Sequence, residues 1–189
     1  MAVSRLPELI DGDGVVLRRW CVPDAPAQHR AVLESIEHLR PWMPWIADEP
    51  QTLSSREELI AEWEREWELG GDVYLAILVG GEVAGSAGLH RRAGPGGLEI
   101  GYWLHPRFTG RGHASAAARA LTAAALAADG VEWVEIRHDR ANVASGAVPA
   151  RLGFSLAGEA PNPSPAPADS GTDLIWRLTR PAVWHRAAP

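Results

Sequence analysis

The sequence contains no lysine: all 18 of its basic residues are arginine, and 24 acidic residues outnumber them for a net charge of −6. An acidic balance gives no general attraction to nucleic acid or to an anionic membrane, so neither is expected as a partner, and any anion must be held by a local arrangement of groups. Cysteine is nearly absent, with Cys21 alone among 189 residues. Without a second thiol there is no intrachain disulfide and no CxxC or zinc pattern, which points to a reducing compartment, the cytoplasm by default, and to no metal site. No segment approaches the ~18 uninterrupted apolar residues of a membrane span, and the opening MAVSRLPELIDGDG lacks an apolar core, so neither export nor embedding is expected.

Apolar residues make up 46% and charged residues 22%, the balance of a soluble folded domain large enough to pack a core. Val15 to Trp20 is β-branched at its start and bounded by Gly14 and Pro23, which predicts a strand. Ala27, Ala31, Val32, Ile36 and Leu39 recur at three and four, the spacing of a helix ended by Pro41 and Pro44. A second helix follows a Ser54-Ser55-Arg56-Glu57 capping box, carries Leu59, Ile60, Trp63 and Trp67 on one face, and stops at Gly70. The period then changes. Val73 to Val79 and Val83 to His90 flank Gly80-Gly81-Glu82 as a hairpin, and Leu98 to Leu104 makes a third strand. An Ala-rich helix from His113 to Ala128, a strand from Val131 to Arg137, a short helix from Asn142 to Leu152 and strands at Phe154 to Gly158 and Leu174 to Leu178 complete the order. The Pro/Ser/Ala-rich stretch Pro161 to Gly171 reads as a mobile loop. This predicts a single α/β (α+β) layered domain over residues 1–180, a mixed, mostly antiparallel sheet of six to seven strands flanked by about four helices, with 181–189 as a tail.

The segment Glu99-Ile100-Gly101-Tyr102-Trp103-Leu104-His105-Pro106-Arg107-Phe108-Thr109-Gly110-Arg111-Gly112-His113-Ala114 runs from a strand through a Gly-bearing turn into a helix. Such a turn can cradle a phosphate: glycines let successive amides converge, the helix start adds unpaired donors and positive dipole, and Arg107 and Arg111 add charge. A P-loop is excluded because it needs lysine, and a dinucleotide GxGxxG fails because Gly110-Arg111-Gly112 is followed by His113-Ala114-Ser115 past mid-chain.

Taken with VVLRRW, LRPWMPW and NVASGAVPARLGF, this segment resembles the GNAT superfamily of acyl-CoA-dependent N-acyltransferases, in the branch typified by the ribosomal-protein-alanine acetyltransferases RimJ and RimL. The resemblance covers nearly the whole chain. It implies the GNAT fold and an acetyl-CoA-dependent N-acetyltransferase with no metal. Arg107, Gly110 and Gly112 match the [RQ]xxGx[GA] signature, whose amides from Arg111 through His113 to Ala114 would hold the CoA pyrophosphate. Tyr102, Trp103 and Leu104 match the bulged strand beside which the pantetheine arm lies. Asn142 and Ser145 match an NxxS pair, the Asn touching the CoA arm and the Ser protonating the leaving thiolate. The tyrosine that many members place in that region is missing.

Amide formation from a thioester requires a neutral amine, a polarised carbonyl and a proton for the departing sulfur, and no enzyme nucleophile if both substrates bind together. An α-amino group is about 10% neutral at pH 7 and a lysine below ~0.1%, which favours an α-amine acceptor such as a protein N-terminus, with a small-molecule amine as the other class. Strand alternation puts Glu99, Gly101 and Trp103 on one face, making Glu99 the candidate base. His90, His105, His113 and His138 sit near element ends, where an imidazole can relay a proton. Trp42 and Trp45, on a proline-stiffened connection, are candidate acceptor-site residues, and Trp63 and Trp67 are core or subunit contacts compatible with a homodimer. The competing reading is a catalytically weak acyl-CoA sensor of the same fold, motivated by the missing tyrosine.

Overall fold

The computed structural model describes residues 6–163 and 165–180, so the tail expected at 181–189 lies outside the described residues. One mixed sheet organises them, in the order β1 (Leu9–Asp11), β2 (Val16–Arg19), β3 (Val73–Val79), β4 (Glu82–His90), β5 (Gly97–Leu104), β6 (Trp133–Asp139), β8 (Thr172–Thr179), β7 (Ser155–Pro161). Every neighbouring pair is antiparallel except β5 with β6. This is the layered α/β architecture expected from the sequence, with eight strands and five helices: α1 (Ala25–Leu33), α2 (Ile36–Leu39), α3 (Leu53–Leu69), α4 (His113–Ala127) and α5 (Val143–Arg151).

The β3–β4 turn is set by Gly80 and Gly81, both at positive φ (58° and 84°), which two-residue hairpins require. Two helical expectations shift. The helix predicted through Leu39 breaks after Leu33, where the buried Ser35 hydroxyl donates to the Ala31 carbonyl at 2.6 Å instead of leaving that acceptor to the next turn. The cap of α3 is Thr52, whose hydroxyl accepts from the Ser55 amide at 3.1 Å, so the Ser54-to-Glu57 box lies inside the helix. β1 carries no periodic signal in three residues and was not expected.

Helices cover both faces. α4 packs its alanines and leucines over Leu17, Leu75, Ile77, Leu98 and Ile100 in the main core. On the other face Ile60 of α3 meets Trp20, Ala25 and Ala76, and Val32 and Leu39 close over Trp103. The loop expected to be mobile is anchored over its described part: the Asn162 amide donates to the Gly171 carbonyl (2.9 Å), the Ala168 amide donates to the Pro41 carbonyl (3.0 Å), and Ala166 is buried. A proline-rich composition offers no periodic signal and so reads as flexible, yet here main-chain and side-chain hydrogen bonds hold the segment.

Candidate active site

β5 and β6 run side by side only from Gly97 to Ile100, paired with Trp133 to Ile136. Beyond Ile100 the two strands part, β5 staying with β4 through Leu104 and β6 with β8 through Asp139. A fork opens in the middle of the sheet, and Gly101 is its first unpaired residue. The β4–β5 register is unbroken from Gly85 to His90, so the bulge expected at Tyr102 to Leu104 is not there; the irregularity sits one pair over, between Ile77 and Leu78 of β3.

At the outer end of β5 the chain makes the predicted turn. Gly110 (φ 72°) and Gly112 (φ 85°) take left-handed conformations, and a Cβ on either would meet nothing within 4 Å. The first α-helical bond of α4 runs from the Ala116 amide to the Gly112 carbonyl at 2.9 Å, which leaves the amides of Arg111, His113 and Ala114 without a helical acceptor. Gly110, Arg111 and Gly112 are exposed, so the turn lies at the surface at the positive end of a fifteen-residue helix. The residues present therefore fit a diphosphate. Arg107 does not point there by default: its guanidinium pairs with Glu82 at 3.0 Å beside a cavity of about 400 Å³ lined by Ala27, Arg30, Glu34 and His105. Both partners of that pair are largely exposed, so it exchanges easily.

Inside the fork, alternation sends Tyr102 to the α4–α5 face and Trp103 to the α1–α3 face. The Tyr102 hydroxyl donates to the Ser145 carbonyl (3.2 Å) and stands 3.4 Å from the Ser145 hydroxyl. Burial pushes the Tyr102 phenol up to about 12, against a smaller lowering from its bond to Ser145. Ser145 is placed by Asn142, the N-cap of α5, whose side-chain oxygen accepts the Ser145 amide at 3.1 Å. Thus the NxxS spacing is an N-cap first. On the opposite face Trp45 and Trp103 have ring centroids 6.2 Å apart. Trp42 is half-buried on the same connection, which the bond from Ala168 to Pro41 ties to the 162–171 loop.

Glu99 is buried, and its two oxygens are occupied by guanidinium groups, Arg92 on Oε1 at 2.5 Å and Arg137 on Oε2 at 3.3 Å. Both oxygens are thus engaged in ion pairs that tie β5 to the turn after β4 and to β6. His105 and His138 also use both ring nitrogens: His105 on Glu34 and the Arg107 amide, His138 on the Asp139 carbonyl and the Trp176 indole.

Asp139 was not singled out from the sequence. Its carboxylate accepts from the amides of Ala141 (2.8 Å), Ser170 (2.8 Å), Gly171 (3.0 Å) and Thr172 (3.3 Å) and from the Ser170 hydroxyl (3.1 Å). Burial alone would raise it, but these donors outweigh burial and hold it at about 2. It fixes the turn into α5 to the loop opposite. The only hint in sequence was an Asp three residues before a capping Asn.

Residues 15–155 match the model of the acetyltransferase (GNAT) domain family, three quarters of the chain, on the residues that form the fork and its cradle. The chain is a GNAT acetyltransferase. Over 144 residues it is 30% identical to YdaF of Bacillus subtilis strain 168, whose name places it with the ribosomal N-acetyltransferases; the match spans 72% of this chain and 75% of that protein. Among solved structures the GNAT domain superposes on RimL, a ribosomal L7/L12 α-N-protein acetyltransferase in complex with coenzyme A, with a TM-score of 0.82, 23% identity, and coverage of 91% and 98% of the two chains. It also superposes on the microcin C7 self-immunity acetyltransferase MccE in complex with acetyl-CoA and AMP, with a TM-score of 0.80, 20% identity, and coverage of 88% and 93%. Among the described residues no helix of this acetyltransferase is long and apolar enough to cross a membrane.

Proposed function

We propose that residues 1–180 act as one unit that transfers an acetyl group from acetyl-CoA to a primary amine, an α-amino group by preference, with both substrates bound together in the cytoplasm. The observation that carries this is the fork: one face offers a proton donor, the other an aromatic wall, and the strand between them ends in an anion cradle. Acetyl-CoA, when bound, supplies the acyl group as a thioester. The amides of Arg111 to Ala114 hold its pyrophosphate, with Arg107 free to join by leaving Glu82. Tyr102, Trp103 and Leu104 flank the arm inside the fork together with Asn142. The Tyr102–Ser145 pair gives a proton to the departing sulfur, Ser145 Oγ directly and Tyr102 replenishing it. That pair supplies in space the phenol that the segment around Asn142 lacks in sequence, which favours turnover over the sensor reading.

Trp42, Trp45 and Trp103 line the side from which the amine arrives. Glu99, clamped by two arginines, serves as an anchor of the β4–β5–β6 corner. The choice of an α-amine follows the names of the relatives, RimL acting on an α-amino group of L7/L12, and the lesser protonation of such amines at neutral pH.

The test is calorimetry with coenzyme A, followed by thioester consumption with a lysine-free decapeptide bearing a free N-terminal alanine. One CoA bound per chain, and acetylation of the free peptide with none of an N-terminally blocked copy, is the expected result. No measurable CoA affinity overturns the reading.

A further inference from the structure

We infer that His90, oriented by Asp72, is the general base that accepts the proton of the incoming amine; the inference rests on the amine-transfer reading above and names a residue that reading lacks. The fork needs a proton acceptor on the α1–α3 face, opposite the Tyr102–Ser145 donor. Glu99 faces that side but both of its oxygens carry arginines. His105 and His138 have no ring nitrogen to offer. His90 does. It is the last residue of β4, directly opposite Glu99 in the register, so its side chain stands on the α1–α3 face.

Its ring is fixed from two sides. Nδ1 lies 2.8 Å from the Asp72 carboxylate, and the Tyr74 ring, itself stacked on Trp63 at 4.6 Å, meets it edge-on at 5.4 Å. With Asp72 accepting the Nδ1 hydrogen, the lone pair is on Nε2. That nitrogen points over a floor with no side chains, the opposed pair Gly88 and Gly101. A Cβ built on Gly101 would stand 3.3 Å from it, and one on Gly88 3.1 Å. Gly101 is where the fork begins. The lone pair of Nε2 therefore sits at the apex of the fork, on the face that Trp103 and Trp45 also border. The side chain is 14% exposed, enough to pass a proton on to solvent.

The proton balance closes. Nε2 takes one proton from the α-ammonium and releases it to water. The neutral nitrogen then bonds to the thioester carbon and gives its second proton to the same Nε2, while the C–S bond breaks and the sulfur takes a proton from the Tyr102–Ser145 pair; the proton on Nε2 then passes through solvent to that pair and restores both groups. Amide, free thiol and one released proton result. The charged and titratable groups around the ring are Asp72, just before β3, Tyr74 from β3, Glu62 and Glu66 from α3, Arg91 and Arg92 from the turn after β4, Glu99 from β5 and Arg137 from β6.

The experiment compares wild type, His90→Gln and Asp72→Asn with the alanyl decapeptide and acetyl-CoA across pH, alongside ¹⁵N spectra of the imidazoles and CoA calorimetry as a control of folding. His90→Gln is expected to lose about 10²-fold in kcat at pH 7, with the acid-side fall of kcat/KM abolished and CoA affinity within about twofold of wild type. Asp72→Asn is expected to lose about tenfold in kcat, its ¹⁵N spectrum showing both ring tautomers where wild type shows one. Wild-type kcat in His90→Gln, or a lowered kcat that keeps the acid-side fall, overturns the assignment. A wild type that binds CoA yet transfers nothing to the peptide fails before any variant is compared, and it removes the amine-transfer reading and the base with it.

Discussion

At the scale of single residues the fork is asymmetric in proton chemistry. Tyr102 lies on the helix α5 side with its phenol pushed up to about 12, so the hydroxyl stays protonated through the whole range in which an amine acceptor is partly neutral. A group protonated over that range is available as a proton donor. Replacing Tyr102 with Phe removes the oxygen and leaves the ring in the core beside α4. We expect kcat to fall about 10- to 100-fold with CoA affinity within about twofold, because the ring and not the hydroxyl packs the strand. Steady-state kinetics with the alanyl decapeptide checks this. A Ser145→Ala variant and the double variant are expected to lose about as much as Tyr102→Phe alone, since two hydroxyls acting on one proton are not additive. Glu99 is the contrasting residue, a carboxylate whose charge is already met by Arg92 and Arg137 and whose worth is structural.

At the scale of elements, two devices hold the site in shape. The first is the turn into α4, where Gly112 adopts φ 85° as the N-cap. A Cβ there meets no atom, so a Gly112→Ala cost comes from the backbone alone, about 1–2 kcal/mol. Urea denaturation should show that loss. Calorimetry should show CoA binding weakened by more than tenfold, because relaxing the strain rotates the amides away from the phosphate.

The second device is Asp139, which joins the start of α5 to the 170–172 backbone. Its folded value near 2 lies below its ordinary 3.8, so its contribution to stability is complete above the ordinary value and is lost as pH falls toward the folded one. Asp169 and Asp173 move the opposite way. Burial raises both, and the Asp139 charge adds to it, so protonating them on acidification relieves strain. The readout is accordingly the difference between wild type and Asp139→Asn. The variant is less stable at pH 7, and the gap between the two melting curves narrows from about pH 4 down to pH 2. A gap that stays constant over that range refutes the latch.

The same scale shows what the sequence could reveal. Periodicity and glycine punctuation located the β3–β4 hairpin, β5, α3 and α4 within a residue or two, because each is decided by local spacing. The Gly110–Gly112 cradle was legible for the same reason. The break at Ser35 was not, since it depends on one hydroxyl choosing the carbonyl of Ala31. Nor were the long-range pairs that make the site: Tyr102 and Ser145 are 43 residues apart, Asp139 and Ser170 are 31, and Glu99 meets Arg137 only because β5 and β6 lie in parallel. Alternation grouped Glu99 with Gly101 and Trp103 on one face of β5, but it could not show which helices cover that face or that both carboxylate oxygens meet arginines.

At the scale of the whole molecule, the arrangement decides whether the acyl group ever rests on the protein. Cys21 is the lone thiol in the chain, and a covalent relay would have to use it or a hydroxyl. It follows β2, and β3 and β4 lie between β2 and β5. Three inter-strand steps of about 4.8 Å put it roughly 14 Å from the fork even before side chains are considered. Burial pushes its thiol up, and the charges of Asp24 and Glu64 add to that against the arginines at 18 and 19, so it is protonated and weakly nucleophilic at neutral pH. The fork, by contrast, presents Tyr102 on one face of the sheet and Trp103 on the other. In the function proposed above the donor lies beside α5 and the acceptor beside Trp103, so neither has to leave for the other to bind. Initial rates measured over a grid of acetyl-CoA and peptide concentrations should therefore give intersecting double-reciprocal lines. Cys21→Ser should keep kcat within about twofold of wild type. Parallel lines, or an acetylated protein isolated after incubation with acetyl-CoA and no amine, would show that the two faces are used in turn and that direct transfer across the fork is wrong.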